Sequence, residues 1–138
     1  MTGSGKWFAR MGLAGCLLLL FVRVGAAAAE EAAPVEVAYF ALKPSIVTNL
    51  TGGPRYIRCV FQLMTDRAPS LPQIELHQAA LRHAILILIA GEDGGQLQTP
   101  AGKEQLRKKA LASVQTQLSE LTGEPLVSDL YFTSYYVK

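Results

Sequence analysis

Alternating apolar and polar positions predict two strands at the start of the body of the chain. Residues 35–42 are rich in strand-favouring side chains, and Lys43-Pro44 interrupts them because proline cannot donate to a sheet ladder. Residues 45–50 resume the extended character. In residues 55–65 the apolar side chains fall on one face and Arg58 and Gln62 on the other, which is typical of a half-buried strand. The face expected to be buried carries Ile57, Cys59, Phe61 and Leu63.

A turn and a loop frame this second strand. Residues 51–54 read Thr-Gly-Gly-Pro, a turn sequence, so we expect the two strand segments to form an antiparallel hairpin. Residues 66–72 hold two prolines and predict the exit loop.

The first helical pattern covers residues 73–90. This segment lacks internal glycine and proline, and its apolar side chains recur at helical spacing. They include Ile74, Leu81, Ile85 and Leu88. The second half, residues 84–90, is apolar on all sides. Three interpretations stay open: a helix end buried on every side, a fusion into a strand, or a face that packs on another copy of the chain.

The second helical pattern follows a loop at residues 91–98. Thr99 supplies an N-cap hydroxyl, and Pro100 takes the first helical position. Apolar positions at intervals of four or three predict one buried stripe, and Gly123 with Pro125 ends the helix. The stripe consists of Leu106, Ala110, Val114, Leu118 and Leu121.

Residues 126–138 close the chain as a strand rich in aromatic and β-branched side chains. One face is expected to carry Leu130 and Phe132, and the other Asp129, Tyr131, Thr133 and Tyr135. This strand must pair with a strand distant in the sequence. The order of strands, helix, helix and strand predicts an α+β fold, an antiparallel sheet with two helices, in a single domain at residues 30–138.

Residues 1–29 have the order of a secretory signal peptide. Lys6 and Arg10 form a positive region, an apolar run of twelve residues follows, and small residues precede Glu30. The run is short for a helix that spans a bilayer, which needs about 20 apolar residues. An uncleaved membrane anchor remains the competing interpretation. A third, lipidation at Cys16, is disfavoured because the leucine run follows this cysteine instead of preceding it.

Outside residues 1–29, the net charge of the chain says little about its function. Three of the 13 basic residues lie before residue 30, so residues 30–138 carry ten basic against 11 acidic residues. A nucleic-acid-binding protein concentrates basic residues on one face and interleaves aromatic side chains for stacking. Because no such pattern occurs outside one helix face, nucleic-acid binding is excluded as the function class.

Catalysis and metal binding have no support in the motifs. His77 and His83 are six residues apart on one helix and therefore point in roughly opposite directions, which does not suit one metal ion. Cys59 is interpreted as a small buried hydrophobic residue. No phosphate loop, nucleophile motif or calcium loop is present, so we expect no enzyme activity, no cofactor and no metal site.

A basic cluster on the second helix is the candidate partner surface. It consists of Lys103, Arg107, Lys108 and Lys109. Lys103 and Arg107 share a helix face. The cluster predicts either a solvated outer face or a docking surface for an acidic partner.

Several short motifs follow one another in a distinctive order. The motifs are Tyr39-Phe40-Ala41-Leu42-Lys43-Pro44, Asn49-Leu50 and Arg55-Tyr56-Ile57, Thr99-Pro100-Ala101-Gly102-Lys103-Glu104-Gln105-Leu106-Arg107, and Val127 with Leu130-Tyr131-Phe132-Thr133. The most specific are the Thr-Pro-x-Gly-Lys helix start and the closing Leu-Tyr-Phe-Thr strand. In this order the motifs resemble those of the flagellar basal-body protein family FliL.

This resemblance implies a fold like the stomatin-type SPFH domain, at the periplasmic face of the inner membrane. It further implies a homo-oligomeric ring that associates with the MotA and MotB stator units and supports rotation and motility without catalysis. The alternative hypothesis is a periplasmic binding module for a small ligand or an envelope component.

Overall fold

A three-stranded antiparallel sheet with helices packed on one face forms the domain, as a computed structural model that describes residues 34–138 shows. The predicted export segment at residues 1–29, with Cys16, lies outside the described residues. The strands are β1 (Ala38–Asn49), β2 (Tyr56–Thr65) and β3 (Asp129–Val137), and the helices are α1 (Leu71–Leu76), α2 (Gln78–Ala90), α3 (Gly94–Leu97) and α4 (Pro100–Thr122). A turn of 3-10 helix, Ala68–Ser70, precedes α1.

The sheet has the order β1-β2-β3, with both neighbouring pairs antiparallel. The predicted hairpin and the non-local pairing of the last strand are therefore confirmed. Lys43-Pro44 does not divide the first strand in two, since β1 continues through it as a single strand. Its effect is a shift of register between Leu42 and Ile46, where the ladder with β2 is irregular.

The inward face of β2 forms the centre of the core, as the sequence predicts. Ile57, Cys59, Phe61 and Leu63 are all fully buried. They pack in one cluster with apolar side chains of the helices, so the alternation of β2 fixes which face of the sheet the helices cover.

Residues 34–138 contain four α-helices instead of the two that the sequence predicts. The loop expected at residues 66–72 already contains the start of α1, at Leu71. Pro72 does not prevent this helix from forming, since it lies in the first turn, where proline is tolerated. The helix expected at residues 73–90 is interrupted at His77, which separates α1 from α2. The loop expected at residues 91–98 holds α3, which Asp93 caps by accepting a hydrogen bond from the Gln96 amide at 3.0 Å.

The apolar segment at residues 84–90 remains helical to Ala90 and is buried on one side. Ile85 and Ile89 are fully buried, whereas Ile87 is 59% exposed and Leu88 half-buried. Burial on every side and fusion into a strand are therefore wrong. Packing of this face on another copy of the chain stays a prediction.

The stripe of α4 is confirmed at four of its five positions. Leu106, Ala110, Val114 and Leu118 are fully buried, but Leu121 is 44% exposed. The buried stripe begins earlier, at Gly102, and ends at Leu118, so the last turn of α4 lies beyond the core. Gly123 ends the helix in the left-handed conformation, with φ of 84°, as expected for a glycine in that position.

The faces of β3 are partly different from the prediction. Leu130 is fully buried and Phe132 packs against the core, as expected. The register with β2 then shifts, since Val60 pairs with Ser134 while Phe61 pairs with Phe132. The extra residue, Thr133, reverses the alternation. Tyr135, expected on the outer face, therefore packs against the core, which corrects the prediction.

The fold is thus α+β, as predicted. The likeness to a stomatin-type domain stays a prediction. Within residues 34–138, no helix combines the length and the hydropathy that crossing a bilayer requires.

Candidate interaction surface

The beginning of α4 is fixed by Thr99. Its hydroxyl accepts a hydrogen bond from the Gly102 amide at 2.9 Å and donates one to the Gln96 carbonyl at 2.7 Å. One side chain therefore caps α4 and ties it to the end of α3. Pro100 occupies the first turn of the helix, where its missing N–H costs nothing.

Gly102 lets α4 approach α3 closely. A Cβ atom at this position would overlap the carbonyl group of Gln96, which is backbone and cannot move aside as a flexible side chain would. The glycine of the Thr-Pro-x-Gly-Lys motif is thus required by packing between the two helices.

Lys103 lies over two aromatic rings of β3. Its Nζ is 5.6 Å from the ring centroid of Phe132 and 4.8 Å from that of Tyr135. The two rings contact each other edge to face, with centroids 4.8 Å apart. Lys103 itself is exposed, so its ammonium group stays accessible while the rings stabilise the charge.

Arg107 joins α4 to β3. It makes a bidentate contact with Glu104, at 2.8 Å from Nε and 2.7 Å from Nη2. Its Nη1 donates to Asp129 Oδ1 at 2.6 Å and to the Leu130 carbonyl at 3.1 Å. Because each of the three guanidinium nitrogens has an acceptor on the protein, this arginine stabilises the position of β3 against α4.

The ionisation of these groups follows from their contacts. The hydrogen bond from Arg107 lowers the pKa of Glu104, and the bonds to Glu104 and Asp129 raise the pKa of Arg107. Partial burial acts to raise the pKa of Asp129, but the Leu130 amide, the Tyr131 hydroxyl and Arg107 together lower it. All three groups are therefore charged at neutral pH.

The other two lysines of the basic cluster behave differently from each other. Lys109 forms an ion pair with Glu92 at 2.8 Å, which links α4 to the loop before α3. Lys108 is exposed and makes no ion pair within residues 34–138. The cluster is thus one exposed lysine, one lysine on aromatic rings, and two cations held by carboxylates.

A shallow depression of about 280 Å³ lies between α4 and β3. We call it the α4–β3 surface; its lining residues are Pro100, Lys103, Glu104, Arg107, Tyr131 and Phe132. The Thr-Pro-x-Gly-Lys motif and the Leu-Tyr-Phe-Thr motif, about 30 residues apart, therefore meet in one place. Cationic and aromatic groups side by side suit the binding of a protein segment better than chemical catalysis.

Sequence reasoning found the cations of this surface but missed their partners. Glu104 lies three residues before Arg107 on one helix, so the spacing alone could have indicated this pair. The contacts with Asp129 and Phe132 come from non-local packing of β3 and have no local signal.

Elsewhere in residues 34–138, the groups that could carry chemistry are not assembled into a site. Burial raises the pKa of the Cys59 thiol to about 12, so the sulfur is protonated and unreactive. His77 lies between α1 and α2, and His83 is exposed on α2. No group of three or more His, Cys, Asp or Glu side chains in the described part of the chain is arranged to hold a metal ion.

Comparison with known proteins agrees with the motifs. The family model for the flagellar basal body-associated protein FliL matches residues 39–137, from β1 to the end of β3. The chain is also similar to the flagellar protein FliL of Aquifex aeolicus (strain VF5), with 29% identity over 113 residues, which cover 80% of this chain and 68% of the relative. The matched region contains both halves of the α4–β3 surface. The chain therefore belongs to the FliL family of flagellar basal body-associated proteins.

Proposed function

We propose that this flagellar basal body-associated protein binds the MotA and MotB stator units and supports flagellar rotation, without catalysing a reaction. The observation that carries the proposal is the α4–β3 surface, where the two most specific family motifs form one exposed, cationic and aromatic patch. The domain works at the periplasmic face of the inner membrane.

Lys103 and Lys108 are the contact cations of the proposed docking surface. Lys103 is exposed, lies over two aromatic rings and forms no ion pair within residues 34–138. Lys108 is exposed on the next turn of α4, beside the residues that line the α4–β3 surface. An acidic segment of the stator would add a partner for each charge. Arg107 and Lys109 already have carboxylate partners at 2.6 Å and 2.8 Å, so they hold the surface in shape.

Motility of the strain that makes the full chain tests this function. Deletion is expected to leave flagella assembled, counted by electron microscopy, while swimming in soft agar is lost or strongly reduced. The double variant K103Q/K108Q is expected to reproduce the defect at normal protein level, because only the contact charges are removed. K43Q, which removes an exposed charge from β1, is the matched control. Normal swimming of the deletion strain under load would contradict the proposal.

A homo-oligomeric ring is part of the same proposal. Leu76 on α1 and Ile87 on α2 are large apolar side chains exposed to 71% and 59%, which supports packing against a neighbouring copy. Sedimentation of the purified full chain is expected to show an assembly that I87Q dissociates. Sedimentation as a monomer at all concentrations would contradict the proposed ring.

A second candidate function is supported by a groove of about 660 Å³ on another part of the domain. Its lining includes Val35, Pro69, Gln73 and Leu126, together with the exposed ion pair of Arg67 and Glu124. A groove of this volume could take a small ligand of the cell envelope. A rise in melting temperature with envelope extracts of defined composition would favour this function, since a ligand that binds the native state stabilises it.

A further inference from the structure

The face of the sheet that points away from the helices has an unusual composition. Because Ile57, Cys59, Phe61 and Leu63 point into the core, the alternate residues of β2 point outward. Four of the chain's five tyrosines lie on this outer sheet face, namely Tyr39, Tyr56, Tyr131 and Tyr136. Their partners in the register include Met64, opposite Tyr39.

This composition is that of the centre of a protein interface. Tyrosine, methionine and arginine are enriched in such centres, whereas lysine, glutamate and aspartate are depleted. Tyr39 and Tyr136 are each about half exposed, at 53% and 50%, so a large aromatic area is in contact with solvent. Tyrosines lose little conformational entropy on binding, which makes them effective contact residues.

Arg58 lies in the middle strand of this face. Its neighbours in the register are Val47 on β1 and Tyr136 on β3, both half exposed. Within residues 34–138 no carboxylate forms an ion pair with Arg58. The guanidinium group is therefore an uncompensated charge between an aliphatic and an aromatic side chain.

The same end of the sheet carries further positive charge. Lys138 pairs through its backbone with Tyr56, and Arg55 donates its amide to the Lys138 carbonyl at 2.8 Å. Both side chains are exposed, and neither forms an ion pair within the described residues. A partner that docks here meets a basic end on a tyrosine-rich surface.

Two copies of the chain that meet through this same face do not complement each other. The carboxylate nearest to it in the register is Asp129, opposite Met64, and Arg107 already binds that group at 2.6 Å. Two copies placed face to face would therefore bury Arg58 without a free carboxylate from the same face of the other copy. Leaving a buried charge unpaired costs several kcal/mol.

We infer that the outer sheet face is a docking surface for a different protein, which presents a carboxylate flanked by apolar side chains to Arg58. The carboxylate pairs with the guanidinium group, and the apolar side chains cover Tyr136 and Val47. This inference concerns the outer sheet face around Arg58, which shares Tyr131 with the α4–β3 surface, and does not depend on the stator as the partner.

Site-specific photo-cross-linking in living cells tests the inference on the full chain. A benzophenone amino acid replaces Tyr136, and the cross-linked peptide is identified by mass spectrometry. A single partner segment that contains Asp or Glu beside apolar residues is expected. R58Q is expected to lower the yield about tenfold, the effect of losing about 1.4 kcal/mol of binding free energy.

The controls separate binding from folding. K43Q removes an exposed charge from the irregular part of β1, which forms no ion pair within residues 34–138, and is expected to leave the yield unchanged. Melting temperature and protein level of R58Q are measured in parallel and are expected to match those of the wild type. Cross-links to a second copy, equal yields in R58Q and the wild type, or no cross-link at all would each overturn the inference. Since swimming is not the readout, these results are distinguishable from a failure of the proposed stator function.

Discussion

Arg107 and Arg58 show two different uses of the same side chain. Arg107 lies between α4 and β3, where two carboxylates and the Leu130 carbonyl accept its hydrogen bonds. Arg58 lies on the outer sheet face and has no carboxylate partner within residues 34–138. The arginine inside the conspicuous basic cluster is thus occupied by the fold, while the isolated arginine in a strand is available to a partner.

The comparison shows why a cluster of positive charges is a poor guide to a binding surface. Charges that are close in the sequence of a helix spread over its circumference, and each meets different neighbours. Here Lys109 meets Glu92 and Lys103 meets Phe132 and Tyr135. Which charge remains free is decided by the residues that pack beside it.

The largest expected effect comes from displacing α4. Gly102→Ala places a Cβ atom against the Gln96 carbonyl, so α4 must shift away from α3 and the Arg107 contacts are disturbed. We expect a loss of about 3 kcal/mol in the free energy of unfolding, measured by urea denaturation. Gly53→Ala is the matched control, because a Cβ there has no neighbour closer than 3.8 Å. Equal stabilities of the two variants would show that the approach of α4 to α3 is looser than described.

The second largest expected effect is a difference in stability between variants of the two arginines. Arg107→Ala removes hydrogen bonds to charged groups and leaves Asp129 without its cation, so we expect a loss of about 2 kcal/mol. Arg58→Ala is expected to change the stability by less than about 0.5 kcal/mol, as for an exposed residue without partners. Thermal unfolding of both variants measures the difference. The comparison fails when Arg58→Ala is the more destabilising of the two.

Tyr135 and Tyr131 extend the comparison to the tyrosines. The Tyr135 hydroxyl donates to the Leu97 carbonyl at 2.6 Å, and burial raises its pKa to about 12. Tyr135→Phe is expected to cost about 1 kcal/mol because it removes this hydrogen bond. Tyr131→Phe, on the outer face, is expected to cost less than about 0.5 kcal/mol. Two equal losses in urea denaturation would place both tyrosines in the same environment and contradict the reversed alternation of β3.

The smallest expected effect is a loss of stability of the folded protein at acid pH. The pKa values of Glu104 and Asp129 are lower in the folded protein than their ordinary values, near 4. Their contribution to stability is therefore present above about pH 5 and is lost as the pH falls below about 4, where the carboxylates become protonated. Arg107→Gln is expected to flatten this part of the profile of melting temperature against pH. An unchanged slope would mean that other carboxylates cause the acid sensitivity.

Local patterns predicted the sheet well. The face of β2 follows directly from period-two alternation, and the caps of α4 at Thr99 and Gly123 follow from side-chain chemistry at helix ends. These features depend on residues close in the sequence, which is why they could be recognised in it.

The prediction failed where distant residues decide the structure. Tyr135 changes face because the register of β3 against β2 shifts at Thr133, and nothing in the sequence of β3 alone indicates this. Leu121 is apolar and at the right spacing, but the core ends at Leu118. The same limit applies to the candidate surface, since the partners of Arg107 on β3 lie more than 20 residues away.

A double-mutant cycle between Arg107 and Asp129 tests most directly whether the charges of the α4–β3 surface hold the fold together. Unfolding free energies of R107Q, D129N and the double variant are measured in urea at pH 7. The contact of 2.6 Å, at side-chain exposures of 24% and 30%, predicts a coupling energy of about 1 kcal/mol. A coupling energy below about 0.3 kcal/mol would contradict the claim that this contact stabilises the fold. Arg107 would then be available to bind a partner.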